Sequence, residues 1–297
     1  MINFKLLDIF TAFIAWFFQV LVRLTPSSLH FIWENIAYFL LRHIFRYRKK
    51  VVWKNLEFIF PEQSYSYYNK LEKQFYHFLA RMFLEMAESY YMNDKNVLSH
   101  IRFANIEIIQ DFLNQGKSVI IALGHHNNWI WQVIISEILK CPAYMVYKPL
   151  SNKYVDRRVR NSHYAPLASY IDSDSTTKYF LKAVKEKQPS VFIMLADQYP
   201  PPSVNSFQVD FLGVKTPFYR GVEFFAKKFN MPVIFGETIN IKDSTYETFY
   251  NIIYDGSENM EKGEITQRYA TSLSDAIKKQ PGNYLWSHRR WKKIIKY

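Results

Sequence analysis

One cysteine, Cys141, stands in 297 residues. It has no partner for a disulfide within the chain, and it excludes a zinc site built on several thiolates. Glycine is scarce, with 8 residues, and neither a G-x-G-x-x-G nor a G-x-x-x-x-G-K-[ST] run occurs. The dinucleotide and nucleotide-phosphate fingerprints are therefore missing. So few glycines also argue against an all-β protein with many tight turns, and no cofactor or metal is expected. Acidic residues number 26 against 38 Lys and Arg, a net charge of +12. Such a chain attracts nucleic acid, anionic lipid, or acidic carriers and substrates. No nucleic-acid motif accompanies the charge, so nucleic acid is not expected among the partners.

What the chain has in excess is aromatic residues, 18% of the total. They concentrate first at the N-terminus, where residues 6–22 read LLDIFTAFIAWFFQVLV. That run is borderline for a membrane span, which needs roughly 20 apolar residues. A basic leader and a small-residue cleavage site are both absent, against a secretory signal. A second aromatic, amphipathic helix is expected over residues 31–45, ending in Arg46-Tyr47-Arg48-Lys49-Lys50. Apolar helices followed by a basic cluster suit the cytoplasmic face of a membrane, at roughly 1 kcal/mol per basic residue near anionic lipid.

Residues 62–93 have a helical pattern with one polar face. Beyond them strands and helices alternate. Strands are expected at Ser118–Leu123, Tyr144–Tyr147, Val191–Ala196, Pro232–Ile239 and Thr248–Tyr254. Helices are expected at Asn127–Leu139, Thr176–Lys187, Thr216–Phe229 and Glu264–Lys279. This order predicts an α/β fold: a central mixed, mainly parallel sheet flanked by helices, with an N-terminal membrane-attached helical region. The break falls near residues 93–105, dividing a helical region, 1–95, from an α/β body, 96–297.

In an open α/β sheet, ligands bind beyond the carboxyl ends of the strands. Gly124-His125-His126-Asn127-Asn128-Trp129 follows one expected strand, and Asp197-Gln198-Tyr199-Pro200 follows another. Arg157-Arg158-Val159-Arg160 lies between them. A histidine at a strand end is well placed as a general base. Asn128 also reads as a cap for exposed N–H groups.

These segments resemble the bacterial lipid A biosynthesis lauroyl/myristoyl acyltransferases, within the lysophospholipid acyltransferase-like superfamily. The resemblance rests on five blocks in order. They are Arg48-Lys49-Lys50-Val51-Val52 with Asn55-Leu56 and Phe60-Pro61-Glu62; Gly124-His125 with Asn128-Trp129; and Tyr147-Lys148-Pro149-Leu150 with Arg160. The fourth is Ala196-Asp197-Gln198 with Phe211-Leu212-Gly213 and Lys215-Thr216-Pro217-Phe218, and the fifth runs from Trp286 to Lys292. The resemblance implies acyl transfer from an acyl carrier protein (or acyl-CoA) thioester to a hydroxyl of a lipid A precursor. It places the reaction at the cytoplasmic face of the inner membrane. It implies His125 as base, Arg160 for phosphate or the oxyanion, and Asp197 to orient the Arg or the His. Asn128, Trp129, Gln198 and Arg158 are the implied substrate contacts.

The chain departs from the family pattern at one chemical position. In the family pattern four residues separate the histidine from an Asp or Glu; counted from His125 that position is Ile130, and from His126 it is Trp131. That acid orients the imidazole and stabilises its charged form. Three readings stay open: another acid such as Asp197 or Glu137 stands in, the acceptor is an amine, or the chain binds lipid without turnover. A smaller departure is Ala165, where the family has glycine.

Overall fold

The computed structural model describes residues 4–160 and 164–297, the side chains of residues 4–7 and of Arg158 excepted. The chain begins with helices α1 (Phe4–Leu24), α2 (His30–Phe39), α3 (Lys49–Ile59), α4 (Tyr65–Ser89) and α5 (Asp94–Leu98). Then follow β1 (Ile101–Phe103), α6 (Glu107–Asn114), β2 (Val119–Leu123), α7 (Ile135–Leu139), β3 (Ala143–Tyr147), α8 (Lys153–Arg160) and β4 (Ala168–Asp172). The remainder comprises α9 (Thr176–Glu186), β5 (Val191–Leu195), β6 (Ser206–Phe211), β7 (Val214–Tyr219), α10 (Gly221–Phe229), β8 (Val233–Lys242), β9 (Thr245–Tyr254) and α11 (Glu264–Lys279).

Seven strands form one sheet in the order β1-β9-β8-β2-β5-β3-β4. The pairs β8–β2, β2–β5, β5–β3 and β3–β4 are parallel, and the long β8–β9 hairpin is antiparallel. The mixed, mainly parallel sheet expected from the sequence is present. Its central strands are apolar at nearly every position because both faces are covered. Ile120, Ala122, Phe192 and Met194 enter one core, and Val119, Ile121, Val191 and Ile193 enter the other. On the first face Phe180 of α9 stacks between Phe192 of β5 and Phe225 of α10, at 3.8 and 4.2 Å between ring centres.

The helices of residues 1–95 pack in two ways: Val22 of α1 meets Leu84 and Ala87 of α4 in a small cluster of their own, and α3 and α4 also share the core of the sheet. Val52 and Leu56 of α3 and Phe75, Phe78 and Leu79 of α4 join the same core as the sheet residues Ile120 and Phe192. Helix α4 is capped by Ser64, whose hydroxyl accepts from the Tyr67 N–H at 3.2 Å. Its fully buried Glu72 is paired with Arg42 at 2.9 Å and Lys49 at 3.1 Å. Two cations for one buried carboxylate satisfy the charge that burial would otherwise leave exposed to a low dielectric.

Two expected helices are corrected. The Asn127–Leu139 segment turns first, passes through a 3-10 turn at Trp131–Ile134, and becomes α-helical only from Ile135. Asn127 has φ +53°, a left-handed conformation that asparagine tolerates and that a helix interior does not allow. The expected Thr216–Phe229 helix starts at Gly221, because Val214–Tyr219 is a strand paired with β6. Thr216 and Phe218 point inward at period two, and Pro217, which has no N–H to donate, fits a two-stranded ribbon. Leu212 and Gly213, at φ +53° and +81°, make the tight turn between them. β1, β4 and β6 were not expected from the sequence.

No single described helix is long and apolar enough to cross a membrane. Asp8–Leu24 and Ser27–Ile44 reach the necessary length and hydropathy only as a pair, bent by 116°. This pair exposes Ile9, Phe10, Phe13, Trp16 and Phe17 from α1, and Phe31, Ile36 and Phe39 from α2.

A terminal segment ties the helices to the sheet. Asn55 of α3 is fully buried and donates from Nδ2 to the carbonyls of Trp286 at 2.7 Å and His288 at 2.9 Å. The Tyr297 hydroxyl donates to its Oδ1. Asn55→Ala leaves those buried carbonyls without their donor, and the unfolding free energy is expected to fall by about 1–3 kcal/mol. Denaturant titration of wild type and variant in the same detergent measures it.

Candidate active site

The site is built by strand register. β2 and β5 lie side by side and parallel, with Leu123 opposite Leu195. His125 is two residues past the first and Asp197 two past the second, so the pairing carries both to one place. Tyr269 of α11 fastens the two strand ends: its hydroxyl donates to the Leu123 carbonyl at 2.7 Å and accepts from the Ala196 N–H at 3.3 Å. Gly124 lets α11 approach, since a Cβ there would meet Leu273 Cδ1 at 2.3 Å.

At the joined ends, His125 Nδ1 donates to Asp197 Oδ1 at 2.7 Å, and the His125 backbone N–H donates to Oδ2 at 3.1 Å. Both carboxylate oxygens thus hold one residue, fixing the ring's orientation and leaving Nε2 as the lone-pair nitrogen. Gln198 Nε2 donates to that nitrogen at 3.1 Å, and Trp129 packs edge-on to the ring with centres 5.0 Å apart. Asp197 is 1% exposed. Burial alone raises its carboxyl, but the His125 ring, its two hydrogen bonds and the Arg290 guanidinium overcome that and hold it at about 2. The carboxylate that holds the His125 ring thus comes from the neighbouring strand, beside the apolar Ile130. Glu137, the other candidate, accepts from the Leu167 N–H at 2.8 Å and from the Ser136 hydroxyl, away from the dyad.

The adjacent His126 faces the other way. It is buried, bonds the Gln280 carbonyl at 3.0 Å, and is held down to about 4 by burial. The turn between the histidines and Trp131 is pinned on every side. Asn127 donates to the Thr238 carbonyl at 2.7 Å and to Gln280 Oε1 at 2.8 Å.

The remaining expected residues divide. Gln198 and Trp129 stand at the dyad. Asn128 does not face the groove described below; it is fully buried, its Oδ1 caps the Ile130 and Trp131 N–H groups at 3.0 and 2.9 Å, and its Nδ2 donates to Glu85 at 2.8 Å. The expected substrate contact there gives way to a cap. Arg160 is not brought to the dyad: it pairs with Asp156 at 2.9 Å and lies over the Tyr147 ring at 5.2 Å. Among the described residues no hydrogen bond or ion pair joins it to His125 or Asp197. The guanidinium that acts on Asp197 is Arg290. The Arg158 side chain lies outside the described residues.

From the dyad a groove of about 1400 Å³ runs out between the sheet and the N-terminal helices. His125, Trp129, Ile130 and Gln198 line its head; Phe18, Trp33, Leu40, Met86, Tyr147 and Phe225 are among its walls. Pockets for drug-sized ligands run to about 1,000 Å³. This one is larger and apolar, shaped for something long and greasy. Residues of α1 and α2 form one side of it, a role that the sequence did not disclose. Its head carries a histidine–carboxylate pair, the arrangement used to take a proton from an attacking hydroxyl.

The model of the bacterial lipid A biosynthesis acyltransferases matches residues 1–293. The chain belongs to this family. No curated protein matches it. The match covers all five sequence blocks, and with it acyl transfer and a lipid A-type acceptor become the chain's general chemistry.

Asp197 also makes stability depend on pH. Its folded value, about 2, lies below the ordinary carboxylate value of 3.8. The stabilisation is therefore present above about pH 4 and is lost as pH falls through 2. Its size is on the order of 2 kcal/mol. Asp197→Asn should remove that part of the acid dependence, so unfolding free energies measured between pH 6 and about 2.5 should fall less steeply in the variant than in wild type.

Proposed function

We propose that this protein is a membrane-attached acyltransferase that moves a fatty acyl group from an acyl carrier protein thioester to a hydroxyl of a lipid A precursor, at the cytoplasmic face of the inner membrane. The observation that carries the reading is the His125–Asp197 pair, 2.7 Å apart, at the head of the long apolar groove. The acyl chain lies in the groove with its thioester carbonyl at the dyad. The acceptor hydroxyl displaces the Gln198 amide from His125 Nε2 and gives its proton to that nitrogen as its oxygen attacks the carbonyl carbon. The carbonyl electron pair moves onto oxygen, which the freed Gln198 amide is placed to receive as donor. Collapse breaks the C–S bond, and the proton on Nε2 passes to the departing thiolate. Asp197 keeps the ring in one orientation and stabilises the imidazolium that forms in between.

Arg160, over Tyr147 at the groove wall, and the groove residue Lys148 are assigned to a phosphate of the acceptor. The net charge of +12 favours both an acidic carrier and a phosphorylated lipid. An intact dyad supports turnover over the reading of a chain that only binds lipid.

With a radiolabelled acyl carrier protein donor and a lipid A precursor in detergent, His125→Ala should lower transfer by about 10²–10⁴-fold while the protein stays folded. Ile130→Glu, which would supply the family's usual acid, should be neutral or harmful. Asp197 already serves the ring, and a second carboxylate beside it repels the first. Full activity in His125→Ala would remove the dyad from the mechanism, and a rise in transfer with Ile130→Glu would show that Asp197 does not fill the acid's place.

Membrane attachment is supported by the exposed aromatic face of α1 and α2, with Phe13 and Phe17 stacked 6.3 Å apart. The double variant Phe13→Asp, Phe17→Asp should lose most of its flotation with vesicles containing anionic lipid. Equal flotation of variant and wild type would place attachment elsewhere.

A further inference from the structure

The positive charge of the chain is concentrated in two stretches. Residues 46–62 and 281–297 hold ten Lys and Arg against two acids, Glu57 and Glu62. These 34 residues supply eight of the twelve net charges. Folding lays the two stretches side by side. Lys50 and Lys54 stand one turn apart on α3, and Lys54 donates to the Lys296 carbonyl. Arg48, just before α3, donates to the Ser287 carbonyl at 3.0 Å. Lys49 pairs with Glu72 and Arg290 is buried, so both serve the interior. Arg48, Lys50, Arg289, Lys292, Lys293 and Lys296 are exposed, and among the described residues none of them is ion-paired.

Elsewhere on the surface cations stand beside carboxylates, as Lys215 does with Asp210 at 2.9 Å and Arg268 with Glu264 at 3.0 Å. Like charges gathered without counter-ions repel one another, and an acidic partner laid against them removes that repulsion and is steered in by their field. Exposed Ile294 gives the same face an apolar spot of the kind that protein interfaces bury.

This face borders the dyad. Lys292 Nζ lies over the Tyr199 ring at 4.3 Å, and Tyr199 follows Gln198, whose amide donates to His125 Nε2. The terminal segment is bound to the catalytic turn as well. The Leu285 N–H donates to the His125 carbonyl at 3.0 Å, and the Asn127 N–H donates to the Asn283 carbonyl at 2.9 Å. None of the six cations belongs to α1 or α2, whose exposed aromatic rings carry the membrane reading.

We propose that this face, made by the start of α3 and the terminal segment, docks the acidic surface of the protein that carries the acyl thioester. The inference rests on the acyl-transfer reading of the dyad. It is tested on the full chain in detergent. One measurement is the binding of fluorescently labelled acyl carrier protein by anisotropy, which needs no turnover. The other is transfer from two donors, the acylated carrier and the acyl thioester of N-acetylcysteamine, a small uncharged thiol.

In the triple variant Lys50→Glu, Lys293→Glu, Lys296→Glu the carrier's Kd should rise about tenfold or more, and the KM for acylated carrier should rise with it. Transfer from the small thioester and flotation with vesicles should stay as in wild type. A control with three exposed lysines of α9 reversed, Lys178→Glu, Lys182→Glu, Lys185→Glu, should bind the carrier within about twofold of wild type, because charges far from the contact are screened. Unchanged carrier binding in the first triple, an equal loss in the control, or an equal fall with both donors would overturn the proposal. So would lost flotation with carrier binding intact, which would give this face to the membrane. Should the first triple not fold, glutamine at the same three positions takes its place, with a smaller loss of binding expected and no loss overturning the proposal. Wild type that uses the small thioester but binds no carrier would sink the docking face alone. Wild type that binds the carrier and transfers from neither donor would count against the acyl-transfer reading instead.

Discussion

The pairing of β2 with β5 is the constraint on which the site depends. Parallel neighbours in fixed register deliver equivalent positions to the same level, so Leu123 opposite Leu195 fixes what lies two residues further on. A slip of one residue would turn His125 to the other face of the sheet, away from Asp197. The register is enforced from both faces: each strand alternates its side chains into two different cores, and Tyr269 binds the carbonyl of one strand end and the N–H following the other. The hydrogen bond between His125 and Asp197 is thus a product of sheet packing before it is a feature of chemistry.

The groove is made by elements that are distant in the chain. Its head belongs to loops after β2 and β5, and its sides to α1, α2, α4 and α10. This explains why the N-terminal helices are aromatic on more than one face. Phe18 and Trp33 turn inward and meet edge to face at 6.1 Å, whereas Phe13 and Phe17 turn outward. One helix pair therefore presents apolar surface both to the groove and to its surroundings.

Much of this was legible in the residues. α/β alternation, the central strands and α11 follow from period and composition, because strands covered on both faces read as unbroken apolar runs. The His125 and Asp197 positions follow from their places after Leu123 and Leu195. What could not be read was which strands are neighbours: LGH and LAD after two apolar runs are suggestive, but only pairing makes them a dyad. The β7 strand was hidden by an apolar run continuing into α10, and the turn at Asn127 by the helical look of the residues after it. Arg160 and Arg290 show the same limit in reverse. Both lie in basic clusters, and only packing distinguishes the one that pairs with Asp156 at the groove wall from the one enclosed by Phe218 and Phe211.

The contact between residues 283–290 and the His125 turn has a further consequence for how the protein matures. In the order of synthesis the groove walls of α1 and α2 emerge first, the dyad's two strands follow, and the segment that braces the dyad comes after all of them. A nascent chain can form the apolar groove wall long before it can hold His125 in place. The His125–Asp197 pair is therefore braced only after the apolar walls of the groove have been made.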